Sequence, residues 1–428
     1  MAIALVVGNM IGSGLFLLPA SLAPYGAAAI LGWAASALGA LTLASVFARL
    51  SRRQPKSGGP YTYARLAFGD GVGFTVAWSY WISTWCGNAA IAVAFAGYFG
   101  ALLPAAVATP LRAALTAIGA LWICTITNTL GLRSASWVQL VTTVLKLSPL
   151  LAFALLALPT IDATAWQPFN RSGETLWSVL SSTTALTLWA FLGLESATVP
   201  ASDVRNPERN VPLATLIGSA IAIIVTVLSC MAVVGLLPAN TLATSGAPFA
   251  DAATRIWGGR AGALFAAAAA IACFGALNGW VLVQGQVPLA AARDQIFPAF
   301  FSRQDENGTP IQGLLFGSAL ASVLVLANFQ KNLVQLFTLS ILLSTAATLL
   351  PYVVCSAADL RLHGWGDRHV RGTTAFLIAL AALVFSLYAL LSTGRDALFW
   401  GVVLVLVGLP IYWYQRRFRN PVLQGPEA

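Results

Sequence analysis

Charge is scarce in this sequence. Asp, Glu, Lys and Arg together supply 9% of its 428 residues, against about 25% in an ordinary soluble domain. So few charges cannot clothe a soluble surface of this size, which excludes soluble enzymes, nucleic-acid-binding domains and secreted disulfide scaffolds. Histidine is nearly absent: His363 and His369 share one loop with no cysteine beside them, and that is no metal-ligand spacing. The five cysteines (Cys86, Cys124, Cys230, Cys273, Cys355) sit in apolar stretches without paired spacing, so neither a disulfide framework nor a metal site is expected. Long polar loops are missing as well. No segment between the apolar runs is large enough for a catalytic or nucleotide-binding domain, so no enzyme activity and no cofactor are expected, and whatever the chain does it does inside a membrane.

Apolar residues take the space that charge leaves. They make up 58% of the chain, with 22 Phe, 14 Trp and 37 Gly, and mean hydropathy is +0.80. Runs long enough to cross a bilayer fall near residues 2–22, 27–48, 70–99, 111–129, 135–158, 175–199, 212–238, 261–290, 312–328, 333–356, 373–392 and 397–414. That pattern predicts an all-α integral membrane protein with twelve transmembrane helices. Uninterrupted runs such as "ATLIGSAIAIIVTVLSCMAVVGLL" are not the short alternating segments of a strand barrel. An even number of spans puts both ends on one side. Lys and Arg outside the runs fall mostly on that side, 16 against 6, and concentrate in Arg49, Arg52, Arg53, Lys56 and Arg65, in Arg361, Arg368 and Arg371, and in Arg416, Arg417 and Arg419. The positive-inside rule therefore predicts both termini in the cytoplasm, with a lipid or regulator site as the alternative reading of the basic runs. The first run opens at "MAIALVVG" with no basic n-region and no cleavage site, so it is not expected to be a removable signal peptide.

Two runs contain breaks. The first holds Gly8-Asn9-Met10-Ile11-Gly12-Ser13-Gly14, and the sixth holds Trp189-Ala190-Phe191-Leu192-Gly193-Leu194-Glu195-Ser196 followed by Pro200. Glycine here permits unwinding, which lipid does not tolerate unless the freed N–H and C=O groups face protein or a polar cavity; the same glycines also serve close helix packing. Spans 1 and 6 begin two successive groups of five. That is the spacing of a five-plus-five inverted repeat whose discontinuous helices meet near the midplane, with spans 11 and 12 outside it. Unwound N–H groups suit a carboxylate and freed carbonyls suit an ammonium, the two ends of an α-amino acid.

Polar side chains inside the runs are few. Glu195 is the only acidic residue well inside a span, and such a carboxylate is kept for a proton, an ion or a gate, or else is protonated and bonded to a helix carbonyl. Tyr80, Thr84 and Asn88 recur every four residues on one helix face, with Ser83 beside them, as pocket lining or as interhelical glue. Trp189 and Trp280 lie at mid-span, each close to a glycine, as candidate aromatic walls, and Asn278, Gln284 and Gln286 stand near the latter. Lys146 lies about eleven residues into span 5, too deep for easy snorkelling; a fixed cation, a proton carrier and simple packing all remain open for it.

These residues resemble the amino acid–polyamine–organocation superfamily, and within it the basic amino acid/polyamine antiporters. The likeness runs through "GNMIGSGLFLLPASL", "PKSGGPYTYARLAFG", "YWISTWCGN", "LTLWAFLGLESA", "VRNPERNVPLAT", "SGAPFADAA", "GALNGWVLVQGQ", "GTPIQGL" and "LLPY". It implies one transporter domain over residues 1–428, with a first inverted repeat at 1–158, a second at 175–356 and two added helices at 373–414. It further implies a multi-pass homodimer in a bacterial inner membrane that exchanges external arginine for internal agmatine by alternating access. Carried over residue by residue, Ser13 and Gly14 would receive the substrate carboxylate, and carbonyls around Asn9, Met10, Trp189 and Leu192 the ammonium. Tyr80 would belong to the outer closure and Trp189 to an aromatic gate. Asn88 and Trp280 would meet the guanidinium, Ser83, Thr84 and Ser344 would line the same volume, and Glu195 would be a pH- and gate-associated carboxylate. Met10, Thr84, Lys146, Ala190 and Asn278 depart from the arginine-exchanging branch. Lys146 instead resembles the lysine of proton-coupled transporters, so proton-coupled or exchange transport of other amino acids is the alternative.

Overall fold

The computed structural model describes residues 2–11, 15–55, 58–130, 135–198, 204–306, 308–362 and 373–417. Gly12, Ser13, Gly14, Lys56, Pro200, His363, Arg368, His369, Arg371 and Arg419 lie outside them. Every regular element among the described residues is helical: α1 (Ala2–Met10), α2 (Leu18–Leu22), α3 (Ala29–Arg53), α4 (Pro60–Phe68), α5 (Asp70–Leu102), α6 (Pro110–Thr129), α7 (Ala135–Ala157), α8 (Leu176–Leu188), α9 (Pro207–Leu236), α10 (Ala239–Thr244), α11 (Pro248–Trp257), α12 (Gly259–Arg293), α13 (Ile311–Ala327), α14 (Leu333–Leu362), α15 (Thr373–Ser392) and α16 (Arg395–Arg417).

Nine stretches among the described residues are long and apolar enough to cross a membrane. The difference from twelve has local causes. Among the described residues the first predicted run holds the short helices α1 and α2, and α2 continues through a tight turn at Gly26 (φ 58°) into α3 as one 36-residue stretch, Leu18–Arg53. The fifth holds α7, whose 23 residues match its predicted run almost to the residue, and α13 has 17 residues, just under bilayer length. Elsewhere the runs and helices agree, as for α6 and α15, while α14 extends six residues beyond the predicted end of its run.

α5 forms the centre. It is buried along most of its 33 residues and packs against α12 on one side and α14 on the other. α15 and α16 lie at the edge with apolar faces outward, including Leu391, Phe399 and Trp400, as lipid-facing helices do. Two long helices are entered in the same way. α4 meets α5 through Gly69, and α11 meets α12 through Gly258, each glycine at φ 86°, a conformation that disfavours any side chain.

The side that carries the basic segment 49–65 is fastened by ion pairs. Arg49 donates from Nε and Nη2 to the buried Asp359 Oδ2 at 2.9 and 2.6 Å, tying α3 to α14. Arg65 bonds Asp70 at 2.6 Å and lies 3.3 Å from Asp294, the residue that ends α12. The Tyr61 hydroxyl also donates to Asp294 at 3.1 Å; burial and that carboxylate together push the phenol above its ordinary range.

Candidate functional site

α8 stops at Leu188, and the chain goes on as a short 3-10 turn over Trp189–Phe191 and another over Ser196–Thr198. Between them Gly193 takes φ 97°, where a Cβ would stand 3.2 Å from the Trp280 ring and 3.6 Å from Asn9. Glycine there lets three segments, α1, α12 and the stretch after α8, approach one another. Trp280 Nε1 donates to the Asn9 carbonyl at 3.4 Å, one of the groups left over at the end of α1. On α5, Gly87 does similar service, because a Cβ would come within 2.9 Å of the Trp189 ring and 3.3 Å of Ser344 Oγ.

These approaches enclose a narrow cavity. α5 lines it with Tyr80, Ser83, Thr84, Gly87 and Ile91, α14 with Ser344 and Thr348, the interrupted stretch with Trp189, Leu192 and Glu195, and α12 with Trp280. Eight of the sequence-predicted site residues therefore meet in one volume: Tyr80, Ser83, Thr84, Trp189, Leu192, Glu195, Trp280 and Ser344.

The hydroxyl hydrogens in this cavity are already committed. Ser83 donates to the Tyr80 carbonyl at 2.6 Å, Thr84 to that of Trp81 at 2.7 Å, Ser344 to that of Ser83 at 2.7 Å and Thr348 to that of Ser344 at 3.0 Å. What each oxygen still offers is its lone pairs. The cavity wall thus accepts hydrogen bonds at four hydroxyls, while the buried Trp189 Nε1 is a donor with no acceptor among the described residues.

Glu195 is fully buried. Tyr80 Oη donates to its Oε1 at 2.7 Å and Tyr352 Oη to its Oε2 at 2.5 Å, so three segments are pinned by one carboxylate. Among the described residues it has no ion-pair partner. Tyr80 lies ten residues from the start of α5, and Tyr352 ten from the end of α14, each about 15 Å along its helix from the side of the basic segment. The triad is therefore on that side of the cavity. Tyr352 escaped the sequence reading although Ser344, Thr348 and Tyr352 follow the same four-residue spacing as Tyr80, Thr84 and Asn88.

The remaining predicted residues take other places. Asn88, between the lining residues Thr84 and Ile91, donates from Nδ2 to Gln284 Oε1 at 2.8 Å. Asn278 accepts from Asn128 of α6 at 2.9 Å. Met10 is buried at the end of α1, and neither it nor Asn9 is among the lining residues. Lys146, 7% exposed, borders a separate, small apolar cavity with Phe16, Leu150, Phe249 and Phe265, and no acidic side chain pairs with it among the described residues. Its helix touches α1 through Thr143, whose hydroxyl donates to the Ala4 carbonyl at 3.1 Å.

The family model for amino acid permeases matches residues 1–419. The putrescine transporter PotE of Escherichia coli strain K12 is 32% identical over 413 residues, covering 95% of this chain and 93% of that protein. The cadaverine/lysine antiporter of the same strain is 34% identical over 416 residues, 95% and 92% of the two chains. The putrescine transporter PotE of Haemophilus influenzae is 31% identical over 415 residues, 96% and 94%.

Proposed function

The chain belongs to the amino acid permease family, and from that premise we propose that it is a secondary active antiporter exchanging a basic amino acid for the amine left by its decarboxylation. One observation carries the reading. The Glu195 carboxylate borders a cavity whose four serine and threonine hydroxyls offer only lone pairs and whose walls include two indoles, with no cation of the described protein to neutralise it. Such a wall suits a ligand rich in N–H and positive charge. The names of the relatives favour lysine with cadaverine, or putrescine; the sequence likeness to the arginine-exchanging branch favours arginine with agmatine.

In this reading the Tyr80–Glu195–Tyr352 cluster closes the cavity on the side of the basic segment, and its release opens that side. The positive-inside rule makes it the cytoplasmic side, with both termini there. The repeat halves are residues 1–158 and 175–356, with 373–414 added. The matched entries into α5 and α12 through Gly69 and Gly258, in the third and eighth predicted spans, support that relation, as do the ends of α1 and α8 in the first and sixth. The outward faces of α15 and α16 are surface for lipid or for the second copy of a homodimer.

Calorimetric titration of the purified protein tests the ligand class. Cadaverine, putrescine, agmatine, lysine and arginine are the panel, with leucine as the neutral control. The reading expects at least one basic ligand to bind and leucine not to; leucine binding as tightly as the best amine contradicts it.

Lys146 favours a second reading, proton-coupled uptake. A buried amine without an acidic partner among the described residues is suited to gain and lose a proton. Lys146→Ala would then abolish acceleration by an inward proton gradient while exchange persists. Equal acceleration in Lys146→Ala and the parent rejects this reading.

A further inference from the structure

Behind the cavity wall a chain of amide contacts has one consistent orientation. It starts at the Leu314 carbonyl, which can only accept. Gln284 Nε2 donates to it at 3.0 Å and also to Ser318 Oγ at 3.1 Å. Ser318 is free to accept because its own hydrogen goes elsewhere: Thr125 donates to the Leu121 carbonyl at 2.8 Å, so in the 2.6 Å contact between Thr125 and Ser318 the serine is the donor. Both hydrogens of the Gln284 amide are then used, and its Oε1 must face Asn88. Asn88 in turn must present Nδ2 to it, at 2.8 Å. An amide assigned by a backbone carbonyl and a hydroxyl chain is not free to flip.

The consequence falls on the other end of Asn88. Its Oδ1 is buried and has no hydrogen-bond partner among the described residues. A buried acceptor is costly to leave unpaired. Asn88 is four residues beyond Thr84 and three before Ile91, both cavity-lining, on the same helix face. Gly317 keeps the arrangement seated, since a Cβ there would overlap the Gln284 amide.

We infer that Gln284 is the specificity-setting residue of the transporter: by fixing the Asn88 amide it leaves only a carbonyl oxygen for the substrate, so the distal end of the substrate must be an N–H donor. The inference rests on the basic-substrate reading above and deepens it. Gln284 acts through Asn88, without touching substrate, and is a positioning residue. A distal primary ammonium or guanidinium satisfies the orphan oxygen. A distal carbonyl or carboxylate meets it lone pair to lone pair and is rejected.

The test is uptake of labelled cadaverine into proteoliposomes by the parent, Gln284→Met, Asn88→Asp and the double variant. In Gln284→Met the asparagine is free to turn its NH₂ toward the substrate, and KM is expected to rise about tenfold with Vmax within about twofold, the loss of one charge-assisted contact. Aspartate has no donor end to misplace. Asn88→Asp alone sets a carboxylate against the fixed Gln284 Oε1 and is expected to raise KM, whereas in the Gln284→Met background, where that oxygen is gone, it restores KM to within about threefold of the parent. A merely structural role for Gln284 predicts no such rescue. Parent uptake with unchanged KM in Gln284→Met, or failure of the rescue, overturns the inference alone. A parent that shows no saturable amine uptake overturns the functional reading and this inference with it.

Discussion

Tyr352 and Glu195 stand 157 positions apart in the chain and share a hydrogen bond of 2.5 Å. With Tyr80 on the other carboxylate oxygen, the bond joins α5, α14 and the stretch after α8 on one side of the cavity. A hydrogen bond to a charged group is worth about 2 kcal/mol, roughly a thirtyfold shift between closed and open populations. Tyr352→Phe is expected to speed labelling of a Ser83→Cys cavity reporter by up to about that factor from the basic-segment side. A membrane-impermeant thiol reagent applied to each face of vesicles measures it, and an unchanged rate contradicts the closure.

Trp280 borders the cavity with its ring and holds Asn9 through its N–H. Trp280→Leu is expected to weaken binding of a basic ligand by roughly thirtyfold, the worth of a desolvated cation–π contact of about 2 kcal/mol. Trp280→Phe, which keeps a ring, falls between. Equal calorimetric affinity in Trp280→Leu and the parent removes this ring from the site.

Gly193 has φ 97° and a ring 3.2 Å from where a Cβ would be. Gly193→Ala is expected to lower stability by about 1–2 kcal/mol and to weaken ligand affinity as well, because the new methyl presses Trp280 away. Melting in detergent with and without ligand separates the two effects. A variant with the parent's melting temperature and affinity contradicts both.

Asp359 is fully buried and receives Arg49, with Arg53 at 3.9 Å. Removing one member of a buried pair strands the other charge, at a cost of about 3 kcal/mol. Asp359→Ala is thus expected to lower the melting temperature by several degrees, and Arg49→Leu with Asp359→Leu to recover much of the loss. A melting temperature unaffected by Asp359→Ala contradicts the pair's structural role.

Hydropathy reveals helices whose exposed faces are as apolar as their buried ones, so α6, α12 and α15 were legible almost to their ends. It misses α4, α10 and α11, which are too short to register as membrane runs and are held by packing and by glycine turns. Local spacing likewise found Tyr80 and Thr84, because helix periodicity puts neighbours on one face. Spacing alone says nothing of partners from distant segments. Asn88 is tied to Gln284, 196 positions away, and Lys146 looks into its own cavity beside Phe249. Both belong to the interior of the helix array, where one polar stripe meets another only after folding.

Counterflow tests the antiport claim most directly. Proteoliposomes are preloaded with unlabelled cadaverine, putrescine or agmatine, or left empty, and labelled lysine or arginine is added outside. The account predicts rapid accumulation of label in at least one preloaded set and little in the empty one. Uptake of a neutral amino acid that no internal amine stimulates, together with no exchange of any basic pair, would contradict it.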